Sequence, residues 1–385
     1  MLALYHLQQE VLAKAIVSVT NDLLTDQRVS RTCDLLHHLG YKVVLVGRKK
    51  KGSTPLPKRK YHMYRFSLPF EKGFLFYAFY NMRLFFFLMF NKAHLLVSND
   101  LDTLFPNFLI HKIKGTPLVY DSHEYFTGVP EIQHRPFVKN IWKTIERFCF
   151  PKLKYIFTVN NSIASLYKTQ YAKPVEVVRN LPDISSSNAF KDRHTLGLPT
   201  EKKIVVLQGA GINIDRGAEE ALLAMQTKFG LSQAVLYIIG DGDALPVLKE
   251  IKESYNLEGK VFFLPRMPYS ELMHYTANAD LGLTLDKDTN ENYRFSLPNK
   301  LFDYIHAQVP ILASDLVEVR KIITQYHIGM ISHSHAPDHL AGLMQQMLFD
   351  TKMRAVWKKN LKIAAKELNW NNEKKTLENV FRKFI

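Results

Sequence analysis

With 385 residues and a mass of 44.6 kDa, the chain has room for two domains of ordinary size, and a composition 46% hydrophobic and 23% charged excludes disorder over most of its length. Two cysteines, Cys33 and Cys149, stand far apart without metal-ligand spacing; they exclude a disulfide framework and predict a reducing compartment. The formal net charge of +15 is lopsided, because residues 1–193 carry 28 Lys and Arg against 14 Asp and Glu while residues 194–385 carry 23 against 22, so the first half is expected to meet an anionic partner, a membrane surface or a nucleic acid.

Glu10 and Lys14 interrupt the first apolar stretch, which speaks against a signal peptide. AKAIVSVT (13–20) reads as a strand. A polar turn follows, then a helical pattern through Leu35, Leu36 and Leu39 to Gly40, and a second strand YKVVLVGR (41–48). Strand, helix, glycine stop and strand is the order of a parallel βαβ unit. A basic cluster (Lys58, Arg59, Lys60, Arg65) then precedes an aromatic stretch over 70–90. Asn81 and Arg83 interrupt its apolar run, so no transmembrane helix is expected. That stretch reads either as an interfacial amphipathic element on anionic lipid or as a buried helix packing the first sheet. Strands continue at HLLVSN (94–99), TPLVYD (116–121), KYIFTVN (154–160) and VEVVRN (175–180).

The polar segment around 183–202, with Pro182 before it and Pro199 within it, reads as a linker. The βα pattern then restarts with KIVVLQG (203–209), AVLYIIGDGD (234–243), KVFFLP (260–265), ADLGLTLD (279–286), VPILASD (309–315) and IGMIS (328–332). These are near-continuous apolar runs, as parallel strands covered on both faces are. The expected organisation is a first domain over 1–182, the linker over 183–202 and a second domain over 203–365. A Lys-rich helical stretch over 352–385 covers a domain edge, and its end, 366–385, is a candidate to cross back and complete the first domain.

In open parallel sheets ligands bind beyond the carboxyl ends of the strands, which directs attention to the residues after each strand. Gly209 and Gly211 open a turn of little side-chain bulk, and Arg216-Gly217 sit at the mouth of the next helix. Helix amides attract phosphate and a guanidinium can fork onto its oxygens; a glycine turn with a surface arginine is the competing reading. Gly240-Asp241-Gly242-Asp243 lacks a third glycine and reads as a tight turn. In Ser296-Leu297-Pro298-Asn299-Lys300-Leu301-Phe302-Asp303, Pro298 suits a helix start. Lys300 adds charge near the free amides, and Asp303 lies about one turn on, where a carboxylate accepts from two ribose hydroxyls. In the first half, Asp121-Ser122-His123-Glu124, Asn99-Asp100 and the run Asp22, Asp26, Arg28 all follow strands. Asp22 either faces a ligand or caps the helix.

The order and spacing of NDLLTDQRVSR, VSNDLDTL, VYDSHEYF, QGAGINIDRG, YIIGDGD, SLPNKLFDYI and VPILASD resemble the retaining GT-B glycosyltransferases of family 4, over nearly the whole chain. The resemblance implies an α/β fold of two Rossmann-like domains whose parallel sheets face each other across a cleft. It implies a sugar transferred from a nucleotide-sugar donor, with retention. Asp303 matches the second acid of the family's Glu-x7-Glu pattern, which holds the ribose. Arg216 matches the basic residue on the donor pyrophosphate, assisted by Lys300, with Gly209, Gly211, Leu297 and Asn299 around the donor. His123 matches a histidine beside the transferred sugar. The first acid of the pattern is replaced by Phe295, with Glu291 or Asp286 as substitutes. Asp22, Asp26, Arg28, Asn99, Asp100 and Asp121 are the acceptor-side candidates. Fixed cations and helix amides can offset the charge of a departing diphosphate without a metal, so no metal and no further cofactor is expected. The expected partners are a nucleotide sugar, a saccharide or lipid-linked acceptor and an anionic membrane surface, with the protein peripheral on the cytoplasmic face of the cell membrane. No nucleic-acid module is recognised. An epimerase or phosphorylase of the same fold is the competing enzyme, and a basic nucleic-acid binder the competing non-enzyme.

Overall fold

A computed structural model describes residues 13–183, 190–226 and 231–385; residues 184–189 of the expected linker and the stretch carrying Glu10 lie outside them. The chain forms two compact units. One runs to Arg179 and takes in Lys374–Ile385, the other is Asn180–Glu373.

The first unit is built on seven strands: β1 (Lys14–Ser18), β2 (Lys42–Lys49), β3 (His62–Ser67), β4 (Leu95–Asn99), β5 (Leu118–Ser122), β6 (Tyr155–Thr158) and β7 (Glu176–Val177). They form one parallel sheet in the order β3-β2-β1-β4-β5-β6-β7. The second unit holds β8 (Lys203–Gly209), β9 (Ala234–Gly240), β10 (Val261–Leu264), β11 (Leu281–Thr284), β12 (Ile311–Ser314) and β13 (Gly329–Ser332). Its parallel order is β10-β9-β8-β11-β12-β13. Both are doubly wound sheets whose strand order reverses beside the first strand, at β1/β4 and at β8/β11. Connections leave such a point in opposite directions and open a crevice at the carboxyl ends of the strands.

The central strands β4, β5, β9 and β11 are buried at every residue, because helices cover both faces. Strand β3 has no counterpart among the expected strands. It is a sheet edge with only Phe66 fully buried, and its sequence HMYRFS lacks the apolar run that marks the others. Helix Gly73–Phe90 follows it and is long and apolar enough to cross a bilayer by length and composition. One side, Phe76, Tyr80, Leu84 and Leu88 at four-residue spacing, is buried. The Tyr80 hydroxyl donates to Val19 O, and Phe87 stacks on Tyr64 of β3. The other side leaves Phe74, Leu75, Met82, Phe86 and Phe90 exposed.

The helical stretch expected over 352–385 is divided into Thr351–Glu367, Trp370–Phe381 and a short turn at Arg382–Phe384. Asn369 accepts from the Asn372 amide at the break. Leu377, Val380 and Phe381 are buried in the first unit, where the Tyr41 hydroxyl donates to Phe381 O at 2.7 Å. In the second unit, Arg193 donates to Asp280 at 2.7 Å and Leu198 packs into the core, which makes the stretch from Phe190 to Lys202 part of that unit's surface rather than a free tether.

Candidate active site

The second unit gathers two cations at the carboxyl end of β11. Its last residues lead through buried Leu285 into Asp286, whose side chain is 2% exposed. Gly217 has φ +73, and a Cβ there would stand 2.4 Å from Leu285 O. Only glycine lets the loop from β8 lie directly on this segment. The Lys287 amide donates to Asp215 O across the same junction. This stitching brings Arg216 Nη1 to 3.5 Å from Asp286 Oδ1, while its guanidinium lies 4.8 Å over the Tyr293 ring. From the other side Lys300 Nζ stands 3.6 Å from Asp286 Oδ2. Burial pulls the Lys300 ammonium below its usual pKa, Asp286 opposes that shift, and Arg216 adds to it.

Helix Asn299–His306 carries Lys300, and its place is set by Tyr304. A Cβ at Gly282 of β11 would meet the Tyr304 ring at 2.6 Å, so the missing side chain lets the helix lie flat on the strand. The Tyr304 hydroxyl then donates toward Leu283 O and Val206 O. One turn after Lys300, Asp303 is buried. It accepts from the Tyr269 hydroxyl at 2.9 Å and from Gln208 Nε2 at 3.1 Å, and Gln208 in turn accepts from Thr276. Gln208, Tyr269 and Tyr293 were not singled out from sequence. A buried glutamine next to the carboxyl end of the apolar run KIVVLQG was a legible signal, whereas the two tyrosines come from elements whose pattern says nothing of the site.

Gly209 ends β8, and Gly211 follows it in the turn, where a Cβ would crowd Asn213. The 240–243 segment is a turn against this loop, with Ile212 N donating to Asp241 O and Ile214 N to Asp243 Oδ1. Leu297 packs on the core, and Asn299 is exposed with its Oδ1 accepting from Asn180. Of the two substitutes for the missing acid, Glu291 is exposed on a four-residue helix, and Asp286 is the carboxylate between the cations. Phe295 is half-buried.

The first unit gathers its candidates at the ends of β1, β4 and β5. Arg28 and Asp121 are not exposed ligand-facing groups. They form a buried two-point pair, Nε to Oδ2 at 2.9 Å and Nη2 to Oδ1 at 2.6 Å, and Arg28 Nη1 also donates to Val178 O. Burial alone would raise the Asp121 carboxyl, but Arg28 and then His123 hold it well below the usual range. Asp26, rather than Asp22, caps helix Gln27–His38 by accepting from Val29 N. Asp22 instead accepts from Leu24 N in the preceding turn.

His123 is the centre of this group. Asn99 donates its amide to Ser18 O, which leaves its Oδ1 to accept from His123 Nε2 at 3.1 Å. Asp100 Oδ2 faces Nδ1 at 3.5 Å. Acceptors at both ring nitrogens favour the imidazolium. Burial works against it and also raises the Asp100 carboxyl, yet Asp100 and Asp121 together hold His123 above its usual pKa. Asp100 accepts the His123 amide at 2.7 Å from a backbone at φ 58 and ψ 170, a region that costs a non-glycine residue about 1–3 kcal/mol. Beside it, buried Asp102 accepts from Thr20, and burial raises its carboxyl to about 7. Among the described residues no group of three or more His, Cys, Asp or Glu is placed to hold a metal ion.

Two family profiles match the chain in tandem: Glycosyltransferase Family 4 over residues 27–185 and Glycosyl transferases group 1 over 189–363. No curated protein sequence matches significantly. Among solved structures, sucrose-phosphate synthase from Thermosynechococcus elongatus is 15% identical, covering 96% of this chain and 98% of its own, with a TM-score of 0.77. Anabaena HepE, solved with UDP and glucose, is 14% identical over 96% of this chain and 100% of its own, with a TM-score of 0.73. WaaG, a glycosyltransferase involved in lipopolysaccharide biosynthesis, is 14% identical over 96% of this chain and 99% of its own, with a TM-score of 0.70. At such identities the structural likeness speaks for the fold, and the tandem profiles speak for the family: the chain belongs to the family 4, group 1 glycosyltransferases and carries their GT-B fold.

Proposed function

We propose that the protein transfers a sugar, with retention, from a nucleoside-diphosphate sugar to a lipid-linked saccharide during synthesis of a cell-surface polysaccharide. The observation that carries this reading is the convergence of Arg216 and Lys300 on one buried point at the carboxyl end of β11. Two cations there, with the free amides of the Asn299–His306 helix start, suit a departing diphosphate, whose negative charge grows as the bond to the anomeric carbon breaks. Gly209 and Gly211 keep the turn after β8 low. To Asp303, held by Gln208 and Tyr269, we assign the ribose hydroxyls, from which a carboxylate can accept, and Leu297 and Asn299 flank it in sequence.

To His123 we assign a charge contact with the transferred sugar or its phosphate, since Asn99 and Asp100 face its two ring nitrogens and favour the imidazolium form. Asn99 and Asp100 orient it, while Asp121 and Arg28 support it from beneath. Asp22 and Asp26 remain acceptor-side candidates. The reaction needs no metal in this account.

The acceptor's lipid anchor fits the first unit. The exposed stripe Phe74, Leu75, Met82, Phe86 and Phe90 flanks Arg83, and Lys72 and Lys92 bracket the helix, in a half that carries most of the excess positive charge. This suits a cytoplasmic face of anionic lipid. HepE was solved with UDP-glucose, which makes UDP-sugars the first donors to try. The test is transfer itself: incubation with a panel of nucleotide sugars and lipid-linked acceptor, followed by assignment of the anomeric configuration, with and without EDTA. Product of retained configuration, unchanged by EDTA, is expected. An inverted product, or activity lost on chelation, contradicts the reading.

A further inference from the structure

Asp286, named above only as a substitute for the missing acid, is the buried carboxylate that the two cations share. Its backbone neighbours are tied on two sides. Leu285 lies against Gly217, and Lys287 N donates to Asp215 O; the His335 ring meets Leu285 O at 3.1 Å. Its carboxylate is buried, with Arg216 at 3.5 Å and Lys300 at 3.6 Å. Both separations exceed the roughly 2.7–2.9 Å of a tight charge-assisted bond, so Asp286 acts on the two cations chiefly through its charge.

The two cations differ in what they need. A guanidinium keeps its proton in any protein setting, whereas a buried amine beside a second cation tends to lose it. We infer that Asp286 is the positioning residue of this site, the resident counter-ion that keeps the buried Lys300 ammonium charged beside Arg216 before any nucleotide arrives. The charged groups acting on Lys300 are Asp286, which favours its proton, and Arg216, which opposes it together with burial. Removing Asp286 therefore leaves both remaining influences pointing the same way. The consequence for ligand binding rests on the diphosphate reading; the protonation of Lys300 does not.

The experiment has two arms, each run on the full chain. In the first, lysine side chains labelled with carbon-13 at Cε are titrated by NMR, and Lys300 is assigned by its loss in Lys300→Arg. In Asp286→Asn the Lys300 midpoint falls by about one pH unit or more, while Asp286→Glu keeps the wild-type midpoint. In the second, UDP is titrated calorimetrically at pH 7 and pH 9. The wild type sets the reference pH dependence, which includes the titration of His123. In Asp286→Asn affinity falls further between the two pH values than in the wild type, because the lowered Lys300 loses its proton earlier, and the double variant Asp286→Asn/Lys300→Arg regains the wild-type pH dependence. An unchanged Lys300 midpoint in Asp286→Asn overturns the inference, as does a UDP profile in that single variant no steeper than that of the wild type. Should UDP fail to bind the wild type while the midpoint still falls, the diphosphate reading is lost and the role of Asp286 stands.

Discussion

Asp100 bends its own backbone into a conformation suited to glycine and in return places its carboxylate on both the amide and the ring of His123. Such local strain is kept where surrounding contacts enforce it, commonly at functional sites. The charge state it helps to set has a measurable consequence. The folded His123 pKa is raised above its unfolded value of about 6.5, so the folded state holds the proton more tightly. This stabilisation is fully present below about pH 6.5 and is lost as pH rises through the raised value. Asp100 shares this titration, since burial raises its carboxyl and His123 opposes that, so urea unfolding at pH 6 and pH 10 should show the wild type losing more stability than His123→Gln/Asp100→Asn; equal losses would remove the charged pair from the account. Sequence alone brought His123, Asp100, Asn99, Asp121 and Arg28 to notice because each follows a strand. It did not tell which would face outward. The Arg28–Asp121 pair spans distant elements, and burial of that kind is a property of packing that local pattern does not carry.

At the level of elements, the position of Lys300 and Asp303 depends on an absence of side chain. Gly282 admits the Tyr304 ring against β11, and through it the whole helix Asn299–His306. Gly282→Ala should push that helix outward, costing about 1–3 kcal/mol by overpacking and weakening nucleotide binding more than stability alone explains. Gly342→Ala is the control, since its Cβ would meet nothing within 4 Å on helix Pro337–Phe349, and it should stabilise by about 0.5–1 kcal/mol. Equal behaviour of the two variants in denaturation and in binding would refute the packing argument. Twelve strands were readable as apolar runs between turn residues. The exception, β3, is an edge strand whose exposed face dilutes the run to HMYRFS. The aromatic helix Gly73–Phe90 was ambiguous for a physical reason: residues at four-residue spacing are buried and those between are not, so both competing descriptions apply to different sides of one helix.

On the scale of the molecule, two parallel sheets of the same winding repeat one design, and the chain's last helix returns to the first of them. Leu377, Val380 and Phe381 complete that unit's core. Removal of residues 374–385 should therefore lower the first unit's unfolding midpoint and expose apolar surface to a hydrophobic dye, while the second unit's transition is retained. A truncated chain with unaltered melting would contradict this part of the description. The central claim, that Arg216 and Lys300 together receive a diphosphate, is tested most directly by calorimetric titration of UDP into the wild type, Arg216→Ala and Lys300→Ala. Each loss of a charged hydrogen-bond donor is worth about 1.5–3 kcal/mol, so each variant should bind at least about tenfold more weakly; wild-type affinity in both would contradict the claim.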